Sequence, residues 1–299
     1  MRNRAILAFS ACVMLLLAGC TRSGPSPTVS PAGTSPSPDF TLTPSPFLPS
    51  ATQVPQAATV NGEAISLAEY RADLKRYQSA LGTELATDDE QRVLNDLIDQ
   101  LLLAQGAAQA GYLADDKAVQ ERIAGLATRL GGEQALSDWM AANGYDETSF
   151  RQSLARSMAA AWMRDQIAAG VPQAVEQVHA RQILLYNSEE ADRVLAQLRS
   201  GTDFADLAAQ YDPSAGGDLG WFPKGYLLDP KLDEAAFSLQ PGEFSQVIQT
   251  AAGYHILQVI ELEPGYPLEP EARLVLQRRA LADWLAGSRS QSQIQVLVP

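Results

Sequence analysis

His179-Ala180-Arg181-Gln182-Ile183-Leu184-Leu185, Gly216-Gly217-Asp218-Leu219-Gly220-Trp221-Phe222 and Gly253-Tyr254-His255-Ile256 are the stretches on which the reading of this chain turns. The first and third are aliphatic runs of strand length, and the second is a glycine turn set between apolar residues. His179 and His255 are the only histidines in the 299 residues. After the first strand, Asn187 to Leu198 and Asp203 to Tyr211 read as two helices, the second turning Phe204, Leu207 and Ala208 inward. Beyond the glycine turn comes a short helix ending near Phe237. Strands near Gly242–Ile248 and Tyr254–Ile260 close the unit. The turn lacks a lysine and the Walker spacing, so it is no phosphate loop.

These islands, in this order, resemble the parvulin family of peptidyl-prolyl cis/trans isomerases. The resemblance covers about 85 residues, from about Val178 to Glu263, and implies a β-α-α-β-α-β-β unit. It implies no metal, cofactor or nucleophile, only an apolar cup for a proline ring and a polar floor for the amide. His179 and His255 would form that floor. Thr250, five residues before His255, matches a hydroxyl position, and Asp212 a position that is Cys or Asp in the family. The four are expected in one hydrogen-bonded network that orients and polarises. The cup walls would be Leu219, Phe222, Leu227 or Leu228, and Leu232. The stretch from Asp212 to Gly217 is about two residues shorter than the family pattern, and that from Gly225 to Phe237 one residue longer. Asp218 reads as a turn residue that satisfies nearby amides.

Phosphate-directed parvulins carry a basic cluster after the first strand. Here that position holds Tyr186-Asn187-Ser188-Glu189-Glu190. Val178 to Glu263 has 13 acidic against 5 basic residues, a net of −8. A preference for phosphorylated Ser/Thr-Pro is therefore not expected.

Outward from this unit, Gly170-Val171-Pro172 ends a helical region and Gln173–Gln177 reads as a connector. Thr59 to Ile65 gives two short strands around Asn61-Gly62. Ser66 is an N-cap with Glu69 three residues on, and its helix runs to about Leu81. The next helix starts near Thr87 and buries Val93, Leu94, Leu97, Ile98, Leu101, Leu102 and Ala108, stopping at Gly111. Further helices are expected over about 115–130, 133–143 and 146–168. In the last, Phe150, Leu154, Met158, Trp162 and Met163 form a core stripe. After the parvulin-like unit, Glu269 to about Ser288 reads as a helix and Ile294–Val298 as a strand able to pair with the one around Val60.

The fold class is α+β: a parvulin-like domain, a small mixed sheet with surrounding helices, inserted in a mainly helical chaperone-like domain. The whole pattern resembles exported foldases of the SurA and PrsA type.

The beginning reads as an export signal: Arg2 and Arg4, an apolar run from Ala5 to Leu17, then Leu17-Ala18-Gly19-Cys20, which looks like a bacterial lipobox. Cys20 is the expected lipidated residue. Cys12 lies inside the signal, so the mature chain keeps no cysteine pair for a disulfide or a thiolate metal site. Pro-, Ser- and Thr-rich residues follow as a disordered tether. The expected division is 1–19 signal peptide, 20–58 lipidated Cys and tether, 59–176 helical domain, 177–264 isomerase domain and 265–299 returning helix and strand.

The net charge of −13 becomes about −15 once the signal is lost, and no basic surface suggests nucleic acid as a partner. The expected partners are unfolded exported polypeptides with X-Pro segments, and a membrane through the lipid anchor. The expected place is outside the cytoplasm. An alternative keeps the flanks as a holdase and the parvulin unit as a weakly active or inactive clamp. A solute-binding lipoprotein would need repeated βαβ units, which are not apparent.

Overall fold

The computed structural model describes residues 54–298. The expected signal peptide, Cys20 and residues 21–53 of the tether lie outside the described residues.

The chain enters the fold as a hairpin, β1 (Gln56–Val60) and β2 (Glu63–Ser66). Asn61 and Gly62 both have positive φ, 54° and 84°, the pair of left-handed residues that a tight two-residue turn requires. β1 starts at Gln56, so the last residues of the expected tether are part of the sheet, and Ala57 and Ala58 are fully buried. Small side chains shared with the tether hide this in composition.

Ser66 caps α1 (Leu67–Leu81), its Oγ accepting from the Glu69 N–H at 3.0 Å. The reciprocal half of the box is replaced, because the Glu69 carboxylate accepts from Arg156 at 2.8 Å. α2 (Thr87–Gln109) is the central helix and buries Val93, Leu94, Leu97, Ile98, Leu101, Leu102, Leu103 and Ala107. Ala108, expected inside, is exposed, as the buried stripe ends at Leu103 and Ala107. α3 (Asp116–Leu130), α4 (Glu133–Ala142) and α5 (Glu147–Ala169) follow. Ala127, Leu136 and Phe150 make a satellite core there. Along α5 the buried residues are Phe150, Ala159 and Ala160, while Trp162 stacks on Tyr112 at 4.8 Å.

α9 (Pro270–Gln291) and β7 (Ile294–Val296) complete this part from the other side of the insertion. β7 pairs antiparallel with β1, Val60 opposite Ile294, giving the sheet order β2-β1-β7. Trp284 packs on the core of Val60, Ile65, Ile98 and Leu101, and Arg289 donates to Asp99 at 2.6 Å.

The inserted unit comprises β3 (Ala174–Leu185), α6 (Ser188–Arg199), α7 (Phe204–Tyr211), β4 (Asp218–Pro223), α8 (Pro230–Ser238), β5 (Ile248–Gln249) and β6 (Tyr254–Pro267). Its sheet order is β4-β3-β6-β5. Every pairing is antiparallel, in place of the expected mixed sheet. β3 begins at Ala174, so the expected connector is strand: with the end of β6 it forms a two-stranded stalk, Ala174 opposite Pro267. Gln177, 1% exposed, steadies the stalk by donating its amide to the Tyr266 and Pro267 carbonyls. The expected strand over Gly242–Ile248 contracts to Ile248–Gln249 and a single bridge from Phe244 to Gln258. Main-chain bonds continue there, Gly242 N–H to the Val259 carbonyl and Ser245 N–H to the Leu257 carbonyl, both at 2.8 Å, and side chains supplement them: the Ser245 hydroxyl accepts from Leu257 N–H and Gln258 donates to the Gly242 carbonyl.

Strand alternation divides this sheet into two faces. Ile183, Leu185 and Ile256 meet Val194, Leu198, Phe204 and Leu207 of α6 and α7. Val178, Ala180, Leu257 and Val259 meet Phe222 and Ala236 on the other face.

Candidate active site

β3 and β6 fix the register of the site. His255 lies opposite Leu184, and so shares the α8 face with Gln182, Leu257 and Val259. It is 4% exposed. The hairpin from Thr250 to Gly253, closed by Thr250 N–H to the Gly253 carbonyl at 2.8 Å, folds the threonine hydroxyl against the ring. Gly253 is required: a Cβ there would sit 2.5 Å from the Leu185 carbonyl oxygen, and its φ is +144°.

The imidazole is bonded on both nitrogens. Nδ1 lies 2.9 Å from Gln182 Oε1 and Nε2 lies 2.9 Å from Thr250 Oγ1. Because an amide oxygen only accepts, Nδ1 carries the proton. Nε2 then accepts from the threonine hydroxyl, which itself accepts from the Ala252 N–H at 3.0 Å. This chain of donors is complete with a neutral ring. Burial lowers the His255 pKa, and the Asp229 carboxylate opposes that shift without reversing it.

Gln182, not His179, is thus the side chain that reaches the buried imidazole. The glycine turn positions it. Gln182 N–H donates to the Gly217 carbonyl at 2.8 Å, and a Cβ on Gly217 would lie 1.9 Å from the Gln182 carbonyl oxygen. Asp212 closes the same turn. Its carboxylate accepts from Ser214 Oγ at 2.7 Å and from the N–H groups of Ser214, Ala215 and Gly217. The Ser214 hydroxyl and then these amides hold its pKa below the usual carboxylate range.

His179 sits elsewhere. It pairs with Glu261 and Trp221, five residues along β3 from Leu184 and so roughly 16 Å away along the strand. Its odd spacing from Gln182 puts it on the opposite face. There its Nε2–H donates to Asp218 Oδ1 at 2.8 Å beside the Trp221 ring. Asp218 also accepts from Gly220 N–H at 2.9 Å; that bond, followed by the one from His179, keeps its pKa low. Of the four residues expected in one network, Thr250 and His255 are joined, Asp212 anchors the neighbouring turn, and His179 belongs to a separate clamp. Strand parity was a partial signal: His179 and Gln182, three residues apart, take opposite faces, and the register with β6 decides that Gln182 is the one facing His255.

The apolar walls converge on the same face. Leu219, Leu227 and Leu232 pack around the core that contains fully buried Phe222. Leu228 is completely exposed at the loop tip and leaves the wall position to Leu227. Asp233 fixes α8 under this loop by accepting the Gly225 N–H on both oxygens, at 2.8 and 2.9 Å. Lys231 Nζ donates to the Gln249 carbonyl at 3.3 Å and ties the first turn of α8 to the strand leading into Thr250. The result is an uncharged polar chain set in an apolar sheet face beneath a helix.

Comparison with known proteins follows the same division. Residues 184–261 match the family model of the PPIC-type PPIASE domain, which takes in Asp212, Thr250 and His255 but not His179. Residues 45–164 match the model of the SurA-like N-terminal domain. The foldase protein PrsA of Halalkalibacterium halodurans is 39% identical over 126 residues, 40% of this chain and 35% of the relative. PrsA of Caldanaerobacter subterraneus is 28% identical over 243 residues, covering 67% of this chain and 72% of the relative. A solved structure, the peptidylprolyl isomerase PrsA from Bacillus cereus, is 21% identical, with 79% of this chain and 88% of that one covered, at a TM-score of 0.46. The chain spans only about a third of the H. halodurans relative and 43% of PrsA from Oceanobacillus iheyensis. Residues 184–261 therefore belong to the parvulin, or PPIC-type, family of peptidyl-prolyl isomerase domains, carried in this chain behind a SurA-like N-terminal domain.

Proposed function

We propose that this chain is a foldase that speeds cis/trans isomerisation of X-Pro bonds in exported polypeptides and holds those polypeptides in its helical part. The observation that carries the reading is the Gln182–His255–Thr250 chain on the apolar α8 face of a parvulin-family domain.

Rotation about a prolyl amide is slow because the C–N bond has double-bond character, with a barrier of about 18–20 kcal/mol. No bond is made or broken, so neither nucleophile nor metal is needed. Half-way round, conjugation is lost and charge returns to the nitrogen. A wall of Leu219, Leu227 and Leu232 grips the pyrrolidine ring and keeps water from the amide. The neutral imidazole, locked by Gln182 and Thr250, presents fixed dipoles that need no reorganisation as the amide twists. A protonated ring would instead stabilise the planar amide, whose oxygen carries the larger negative charge, so the depressed pKa of His255 favours turnover.

Two further points support the finer reading. α6 begins with Glu189 and Glu190, which repel a phosphorylated residue, so clients with plain X-Pro bonds are favoured. Among the described residues no helix is long and apolar enough to cross a membrane. Anchoring is assigned to Cys20 on the strength of Leu17-Ala18-Gly19-Cys20 and the basic, apolar stretch before it. Acyl chains contribute roughly 0.8 kcal/mol per buried CH2.

A proline tetrapeptide isomerisation assay tests the proposal. Wild type is expected to exceed the uncatalysed rate, and a Gln182→Ala/His255→Ala double variant to return close to it. Equal, uncatalysed rates for both would remove the isomerase reading and leave a holdase, which suppression of client aggregation would reveal.

A further inference from the structure

A concavity opens beside Ile248, the strand residue opposite His255. Between α8 and β5 runs a shallow groove of about 540 Å³, with Ala235 and Ser238 on the helix side and Val247 and Ile248 on the strand side. Its rim carries one charge of each sign, Lys231 and Glu234, so the groove selects for neither.

β5 is a terminal strand of the sheet, paired only with β6. Its hydrogen-bonding parity follows from the hairpin. Thr250 and Gly253 form a bonded pair, so the next pair, Gln249 with Tyr254, is of the non-bonded kind, and Ile248 with His255 is bonded again. The N–H and C=O of Gln249 therefore point away from β6, into the groove. The Gln249 carbonyl meets the exposed, flexible Lys231 ammonium, a partner that a peptide can displace. Gln249 is also the neighbour of Thr250, whose hydroxyl holds the His255 ring. One strand thus joins the groove to the imidazole, with one residue, about 3.3 Å, between them.

We propose that this groove is an extension of the isomerase cup that takes an extended, uncharged apolar segment flanking the client's proline. The segment adds to β5 as a fifth strand and lies against α8. This rests on the isomerase reading for the cup itself. Main-chain bonds to Gln249 supply affinity without sequence demand, while Ala235 and Ile248 accept apolar side chains. Such a site discriminates by chain conformation: an unfolded client can lay a strand there and a folded one cannot.

Two substrates with the same X-Pro centre test this with the full chain, a tetrapeptide and a nonapeptide with Val and Leu flanks. The nonapeptide is expected to show kcat/KM about tenfold higher, the effect of one or two net hydrogen bonds. Ala235→Arg, which fills the groove, and Gln249→Pro, which removes an outward N–H and no ladder donor, are each expected to bring that ratio close to one. A nonapeptide N-methylated on alternate residues loses the advantage in one register and keeps it in the other. A wild-type ratio of one, or a ratio untouched by both variants, overturns the proposal and leaves the cup's own activity standing. If neither peptide is turned over, the isomerase reading fails. The groove is then decided by amide shifts on nonapeptide addition: a shift at Gln249 supports it, and its absence overturns it.

Discussion

His255 donates from Nδ1 to the Oε1 of Gln182 at 2.9 Å, so the residue that sets the buried imidazole's tautomer is a neutral amide three positions beyond the other histidine. Gln182→Ala removes that acceptor and frees the ring. Its kcat/KM for a proline peptide is expected to fall about tenfold or more, and that of His255→Ala to fall further. His179→Ala should keep near-wild-type turnover and lose about 0–1 kcal/mol of stability through its bond to exposed Asp218. Loss of turnover in His179→Ala with retention in Gln182→Ala would reverse this assignment.

Acid should weaken the fold through His255. Its pKa in the folded chain lies below the ordinary value of 6.5, because burial penalises the cation. The unfolded chain therefore binds the proton first as pH falls. The stabilisation from the neutral ring is complete above 6.5 and is lost as pH drops through the depressed folded value. Urea midpoints should decline from about pH 7.5 to about pH 5.5 in wild type, and His255→Asn should show a flatter profile. An identical slope in that variant would assign the acid sensitivity to other groups. Asp212 and Asp218, whose pKa values are lowered, add their own loss only further into acid.

Adjacent glycines in the 216–217 turn should respond unequally to a methyl group. At Gly217 the new Cβ would lie 1.9 Å from the Gln182 carbonyl oxygen, and φ is +71°. Gly217→Ala is expected to cost about 2–4 kcal/mol and to impair turnover, since the strand that carries Gln182 must move. Gly216, at φ +61°, has open space around it. Gly216→Ala should cost only the left-handed penalty, about 1–2 kcal/mol, with turnover kept. Denaturant midpoints and the peptide assay separate the two.

Trp284 comes from beyond the insertion, yet packs on the core of β1, β2 and α2. Trp284→Ala should destabilise that core by about 2–4 kcal/mol. The loss should appear in the melting of the N-terminal helices, although they lie more than a hundred residues earlier in sequence. A melt unchanged from wild type would show that α9 contributes little to them.

Much of the architecture was legible because its signals are local. Asn61-Gly62 demands two left-handed residues, Ser66 and Asn187 are caps, and the period of Val93 to Leu102 makes a helix face. The stalk was not, since Gln177 is a buried amide satisfied by two carbonyls on a partner strand, and such a residue reads as surface in sequence. The site was legible in part. Thr250 and His255 lie five residues apart across one hairpin, so sequence proximity carries their contact. Gln182 meets His255 across two strands, and it has no titratable group to mark it. Two rare histidines invite pairing, but only the pleat decides which side chains share a face, and it separates His179 from His255. Leu227 and Leu228 sit on a loop, where no period distinguishes the inward neighbour from the outward one.

Gln173 and Leu268, joined by a 2.8 Å main-chain bond, stand side by side where the stalk meets the helices. The inserted unit is joined to its host by two adjacent strands. Excising residues 174–267 and bridging the cut with a tight turn would leave β1, β2, β7 and the helices around them continuous. A cassette held in this way can be exchanged by an engineer without cutting any other element of its carrier.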